Sequence, residues 1–172
     1  IPDPEIEQRI MGFARRYPNV ALSLDYTDLV VDLIEGRYDL AIRLGKLPSS
    51  SLIRRKIGSV THVLVATPDF VTRHGRFVVP DDISSAPTVA MSASMNSLTL
   101  TKGKTTRVVS REVSQIQVQS IHGAKSAAMA GLGYVNLPKS LVAQELASGD
   151  LIRMLPDWDL PQLDIQTIRA AK

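Results

Sequence analysis

YPNVALSLDYTDLVVDLIEGRYDLAIRLG runs from Tyr17 to Gly45. Val20, Leu22 and Leu24 alternate with Ala21, Ser23 and Asp25, the pattern of a strand buried mainly on one face. Asp28 is placed to cap a two-turn helix carrying Leu29, Val30, Leu33 and Ile34 on one side, and Gly36 is its natural stop. Tyr38–Leu44 then reads as a second strand. A strand, a short helix and a strand make a compact βαβ unit, and that connection requires a parallel pair. Open sheets of this kind hold ligands outside the carboxyl ends of their strands.

The pattern continues in both directions. Upstream, Ile6, Ile10 and Phe13 recur at helical spacing, so Pro4–Arg16 reads as a helix entered through Pro2, Asp3 and Pro4 and stopped before Pro18. Downstream, Val63–Ala66 is a continuous apolar strand, broken by Thr67 and Pro68. A helix of about a turn and a half precedes Gly75, and FVVPDDI is a connector. Pro87–Ser92 reads as a short strand, 93–104 as a polar loop or hairpin tip, and 106–120 as extended, being rich in β-branched residues. Ser120 caps a helix closed by Gly131 or Gly133. Tyr134–Pro138 ends a strand, Lys139–Gly149 is a helix, Leu151–Leu155 a strand, and Leu163–Ile168 the last strand. The α/β alternation occurs twice, with a break near Thr67 and a return near Asp164. Two lobes joined by crossing strands, with a cleft between them, are the simplest packing. Lobe I is expected at about 1–66 plus 167–172 and lobe II at about 67–166.

Composition narrows the function. Of 172 residues, 44% are hydrophobic and 22% charged, which fits a soluble globular domain. No apolar run approaches the ~18–20 residues of a membrane span. The chain has no cysteine, so disulfides, Cys-zinc sites and thiol nucleophiles are excluded together. His62, His74 and His122 are far apart and form no His-x-x-x-His pair, so neither a metal nor a cofactor is expected. The formal charge of +3 is mild, and the run Arg54–Lys56 reads as a solvated strand edge rather than a nucleic-acid patch. There is no Gly-x-Ser-x-Gly elbow, no phosphate loop and no carboxylate pair on one face, so an enzyme is not expected.

Several stretches together resemble the effector-binding domain of LysR-type transcriptional regulators. They are Phe13–Leu22 (FARRYPNVAL), Asp32–Leu52 (DLIEGRYDLAIRLGKLPSSSL), Leu64–Gly75 (LVATPDFVTRHG) and Ala127–Leu155 (AAMAGLGYVNLPKSLVAQELASGDLIRML). The resemblance implies a two-lobed fold like that of type 2 periplasmic binding proteins. It implies a cytoplasmic sensor that takes a small-molecule effector in the interlobe cleft, with a carboxylate as a candidate. It further implies a homodimer, no membrane, and DNA contact only through an N-terminal winged helix-turn-helix absent from this chain. The family's first sensor strand and last helix are absent too, so the chain reads as a piece of a longer protein. A secreted solute-binding protein of a transporter is the alternative on the same fold. The upstream sequence discriminates: a signal peptide supports transport, a winged helix supports regulation.

Candidate effector contacts follow. GLGYVN at Gly131–Asn136 superficially looks like a dinucleotide fingerprint, but it ends a helix and opens a strand, the reverse of the order that chemistry needs. Ser120 starts a helix at the expected cleft, where first-turn amides and the positive helix end favour a carboxylate. It serves equally as a plain N-cap. Ile121 and His122 lie beside it. Arg43, near the end of a strand aimed at the cleft, suits either an anionic effector or a structural ion pair with Asp39 or a neighbouring carboxylate. Leu44 and Gly45 follow it. Thr67 is expected at the crossover, Ser92 and Ala93 at the end of lobe II's first strand, and Asn136 where relatives often carry a small or apolar residue.

Overall fold

The structure is a computed structural model and describes residues 4–27, 33, 35–45, 52–91, 97–111 and 116–170. The two-lobed α/β architecture is present as two three-stranded sheets joined by two crossings, with a separate two-stranded hairpin in the second lobe. In lobe I, β8 (Leu163–Arg169) is the central strand. It pairs antiparallel with β1 (Ala41–Leu44) on one side and β2 (Ile53–Val60) on the other. Helix α1 (Pro4–Arg16) precedes this sheet.

The parallel βαβ unit expected at 17–45 is not formed among the described residues. β1 takes β8 as an antiparallel neighbour, and residues 20–25 are exposed and form no strand. Alternation alone does not make a strand, because the backbone N–H and C=O groups need a neighbour. None lies beside 20–25 among the described residues. The helix expected at Asp28–Ile34 falls almost wholly outside them.

Lobe II is built on β3 (His62–Ala66), which is buried throughout and pairs with β6 (Val135–Pro138) and β7 (Ile152–Arg153). The sheet extends past β6: Val89 donates to Tyr134 O, Ala90 donates to Ile116 O, and Val118 donates back to Ala90 O. These segments run parallel, as the bridges Thr88–Tyr134 and Ala90–Gln117 show. One face of the sheet packs Val63, Val65, Val135 and Leu137 against Ala124 and Ala128 of α3 (Ile121–Met129). The other packs Leu64, Ala66 and Tyr134 against Phe70 of α2 (Pro68–His74) and the hairpin of β4 (Ser97–Lys102) and β5 (Thr105–Ser110). The 93–104 stretch is thus half strand: its tip is at Gly103, φ +58°, while Leu98 and Leu100 are buried. The segment Lys139–Gly149 opens as a single 3-10 turn before α4 (Ala143–Ser148).

The chain changes sheets between Val60 and His62 and returns between Leu160 and Leu163. Gln162 Nε2 donates to Thr61 Oγ1 at 3.4 Å, so the two crossings touch. The outgoing crossing is therefore at Thr61 and not at Thr67. Thr67–Pro68 breaks the apolar run for another reason, the start of α2.

Candidate functional site

The parallel segments of lobe II give the site its direction. Residues 88–90, 116–118 and β6 all advance toward the crossing, which brings Met91, Ser120 and Pro138 to one end of the sheet. There the amide of Lys139 donates to Thr61 O at 2.9 Å. On the lobe I side, Gly45 N donates to Asp164 O at 2.9 Å, and Gln166 Nε2 donates to Gly45 O at 2.9 Å. Gly45, at φ +80°, turns the chain there in a conformation that disfavours other residues. Arg43 lies opposite Gln166 and Leu44 opposite Ile165. Gly45 thus lies beside the crossing from lobe I, while Ser120 ends the outermost parallel segment at the same end of the lobe II sheet, three strands from β3.

Ser120 is the N-cap of α3, with extended backbone, and its Oγ accepts from Gly123 N at 3.5 Å. The cap is long, so the hydroxyl is held loosely and the amides of the first turn point out of the helix start. Ile121 contributes its backbone to this place but not its side chain, which is 8% exposed and belongs to the core. His122 is exposed on the same turn. Among the described residues Arg43 forms no ion pair with Asp39. Tyr38, on the approach to β1, donates its hydroxyl to Asp25 Oδ2 at 2.5 Å, and that bond pushes the phenol above the usual tyrosine range.

Thr67 does not belong with these residues. It caps α2, its Oγ1 accepting from Phe70 N at 3.2 Å. A Cβ on Gly131 would come within 3.4 Å of Thr67 Oγ1, so Thr67 sits beyond the far end of α3. That end is about 13 Å from Ser120, at about 1.5 Å per helical residue over nine residues. Ser92 and Ala93 lie outside the described residues; the strand leading to them is described as far as Met91.

Asn136 sits on β6 two residues before Pro138, and its Oδ1 is buried with no hydrogen-bond partner among the described residues. Reading the sequence alone missed a companion. His62 opens β3 at the crossing, is 9% exposed, and its Nδ1 has no partner either. Burial holds the imidazole below the usual histidine range, so it is neutral at pH 7. The available signal was an ionisable residue at the head of an otherwise wholly apolar strand.

The comparisons with known proteins agree with this fold. The model of the LysR substrate binding domain matches residues 6–172. An uncharacterized HTH-type transcriptional regulator of Haemophilus influenzae is 29% identical over 164 residues, covering 95% of this chain and 57% of that protein. The HTH-type transcriptional regulator PtxR of Pseudomonas aeruginosa is 29% identical over 152 residues, covering 88% and 49%. Among solved structures, the regulatory domain of AphB from Vibrio vulnificus superposes with a TM-score of 0.73 at 30% identity, covering 94% of this chain and 81% of that one. Full-length AphB, the Vibrio cholerae virulence activator, gives a TM-score of 0.77 at 27% identity, covering 94% and 55%. The chain spans about half the length of the regulators it matches. The chain belongs to the LysR substrate binding domain family.

Proposed function

We propose that this chain is the effector-sensing part of a bacterial transcription regulator, and that a small carboxylate binds between the lobes at the crossing. The observation that carries the reading is that the α3 start at Ser120 stands at the end of the lobe II sheet that meets the crossing Thr61–Gln162, the end where Gly45 of lobe I bonds Asp164. A ligand bridging two lobes favours one of their arrangements over others. A DNA-binding segment elsewhere in the regulator would read that change. Relatives that are HTH-type regulators favour this over a transport role. No catalytic role is proposed. No helix among the described residues is long and apolar enough to cross a membrane.

A homodimer fits the surfaces. Met11, Phe13 and Tyr17 are exposed on and after α1, and Met129 and Leu132 are exposed at the end of α3. An antiparallel pairing in which α1 of one copy meets α3 of the other would cover both sets. Ala127 and Ala128 take no part, since both face the core. Ala130, the C-cap of α3, is exposed. Sedimentation that shows a monomer at high concentration would refute this arrangement.

The effector reading is tested with Ser120→Asp. Aspartate caps a helix as well as serine does, so the variant should fold. Its carboxylate would occupy the positive helix end and repel an anion. Small carboxylates that raise the native unfolding midpoint should lose that effect in the variant. An undiminished shift would remove the anion from this helix start.

A further inference from the structure

A crevice of about 290 Å³ opens on the side of the lobe II sheet away from α3. Its shape follows from the β4–β5 register. Lys102 pairs with Thr105, Leu100 with Arg107 and Leu98 with Val109, so all six side chains share one face of the hairpin. On that face Leu98, Leu100 and Val109 are buried, whereas Lys102, Thr105 and Arg107 are exposed. The hairpin therefore reaches past the core. The space beneath its tip is bounded by the start of the 3-10 turn Pro80–Ile83 and by Trp158. These walls are fixed before any ligand arrives. Thr101 N donates to Asp159 O at 2.9 Å and Asp159 N donates to Thr101 O at 2.8 Å, which ties the Trp158 turn to the hairpin, and Lys102 binds Asp157 at 2.8 Å. Val78 N and Val79 N both donate to Asp82 Oδ2, at 2.7 and 2.8 Å, which holds the 3-10 turn.

The crevice carries opposite charges on different walls. The Arg107 guanidinium reaches the carbonyl of its neighbour Thr106, at 3.4 Å, and forms no ion pair among the described residues. The Asp81 carboxylate on the 3-10 turn forms none there either. Lys102 is already committed to Asp157. The same crevice is lined by the buried Pro80 and the half-buried Trp158, an apolar surface beside the two charges. We propose that this crevice is a second ligand site, apart from the interlobe site, and that it takes a small zwitterion with an apolar side chain, an amino acid such as phenylalanine. Its carboxylate meets Arg107, its ammonium meets Asp81, and its side chain covers Trp158 and Pro80. A plain acid would set a negative charge beside Asp81, and a plain amine would set a positive one beside Arg107; each mismatch weakens binding. Walls already held in place lose little freedom on binding. Charges at an exposed rim add little each, so an affinity on the order of millimolar is expected.

The test exploits the composition, since Trp158 is the chain's only tryptophan. Its emission, excited where phenylalanine and tyrosine do not absorb, reads this crevice. Native chain is titrated with phenylalanine, with hydrocinnamate, which lacks the ammonium, and with phenethylamine, which lacks the carboxylate. Phenylalanine should change the emission saturably, and each analogue should need about two- to fivefold more for half the effect, the worth of one exposed charge contact. Arg107→Gln should remove the advantage of phenylalanine over phenethylamine, and Asp81→Asn its advantage over hydrocinnamate. Both residues are exposed, so neither change should disturb the fold. Ser120→Asp should leave the phenylalanine titration as it is. Absence of a saturable change overturns the inference, as does an equal response to all three probes or a preference that survives both crevice variants. A phenylalanine response lost in Ser120→Asp also overturns it, by assigning the ligand to the other site. The effector reading is judged separately, by the response of the unfolding midpoint to small carboxylates, and stands or falls without this one.

Discussion

A Cβ placed on Gly133 would lie 3.0 Å from the carbonyl carbon of Thr88 and 3.0 Å from the carbonyl oxygen of Pro87. The approach exists because Tyr134 N donates to Pro87 O at 3.1 Å and Val89 N donates to Tyr134 O at 3.0 Å, which draws two backbones into parallel contact. Both obstacles are backbone, so neither yields to a rotamer change. Gly133→Ala should cost about 1–3 kcal/mol, the usual penalty for overpacking. Urea unfolding would show it as a lowered midpoint. Gly12, in α1, meets nothing within 4 Å of its Cβ. Gly12→Ala should instead stabilise by about 0.5–1 kcal/mol through the helix term.

The glycines show what the sequence can carry. Ser120 and Gly131 bound α3 by local chemistry: a hydroxyl for the first turn, and φ +69° at the exit where Leu132 N reaches back to Ala127 O. Such signals need no partner and were readable. Val20, Leu22 and Leu24 also alternate cleanly, but a strand is completed by a neighbour, and the text of 17–45 does not name one. β4 was hidden in the opposite way. Its Ser, Thr and Lys residues look like loop, and only Leu98 and Leu100 betray the buried face. The crossing at Thr61 lies between the basic, largely exposed β2 and the apolar β3, with no proline to mark it, whereas Thr67–Pro68 is loud punctuation for a helix cap. That punctuation marks the cap of α2 and not the change of sheet. An isolated histidine has many uses, and only the fold shows that His62 is buried at the head of β3.

Tyr134 is fully buried, and its hydroxyl donates to Ile83 O at 3.3 Å. Burial pushes the phenol up to about 12. An unfolded tyrosine ionises near pH ~10, so between about pH 10 and 12 the unfolded chain has lost a proton that the folded chain keeps. This group therefore contributes stability that is complete below pH ~10 and lost as pH rises through that window. Tyr134→Phe should cost about 0.5–1.5 kcal/mol at neutral pH through the lost hydrogen bond. It should also flatten the alkaline decline in the unfolding midpoint.

His62 gives the mirror case in acid. Its folded pKa is lowered by burial. Above about pH 6.5 both states are neutral at this position; below it the unfolded chain takes up a proton first. Stability should fall as pH drops from about 6.5 to the lowered folded value, and no further contribution is lost beneath it. Urea midpoints at about pH 7.5 and about pH 5.5 bracket the effect. His62→Phe should reduce the difference between them, and an unchanged difference would show that the imidazole is not held neutral.

Lys125 on α3 and Glu145 on α4 form the best-sheltered ion pair among the described residues, 2.6 Å apart with side chains 25% and 15% exposed. Lys125 also donates to Leu141 O at 3.0 Å, so one ammonium ties the helix that begins at Ser120 to the turn that leads into α4. The bond from Lys125 holds the Glu145 carboxyl below the usual glutamate range. The stability it contributes is present above about pH 4.5 and lost as pH falls toward the lowered folded value. Removing one partner is the harsher change, because the other charge stays half-sheltered without compensation. Lys125→Met should cost about 1–3 kcal/mol. Replacing both residues, as Lys125→Met with Glu145→Leu, should recover part of that loss, since apolar side chains of similar volume suit a sheltered pair as well as charges do. A double-mutant cycle at neutral pH reads the coupling directly. Strictly additive losses would mean that the two charges, though adjacent, do not hold α3 in place, and that the helix start at Ser120 is positioned by core packing alone.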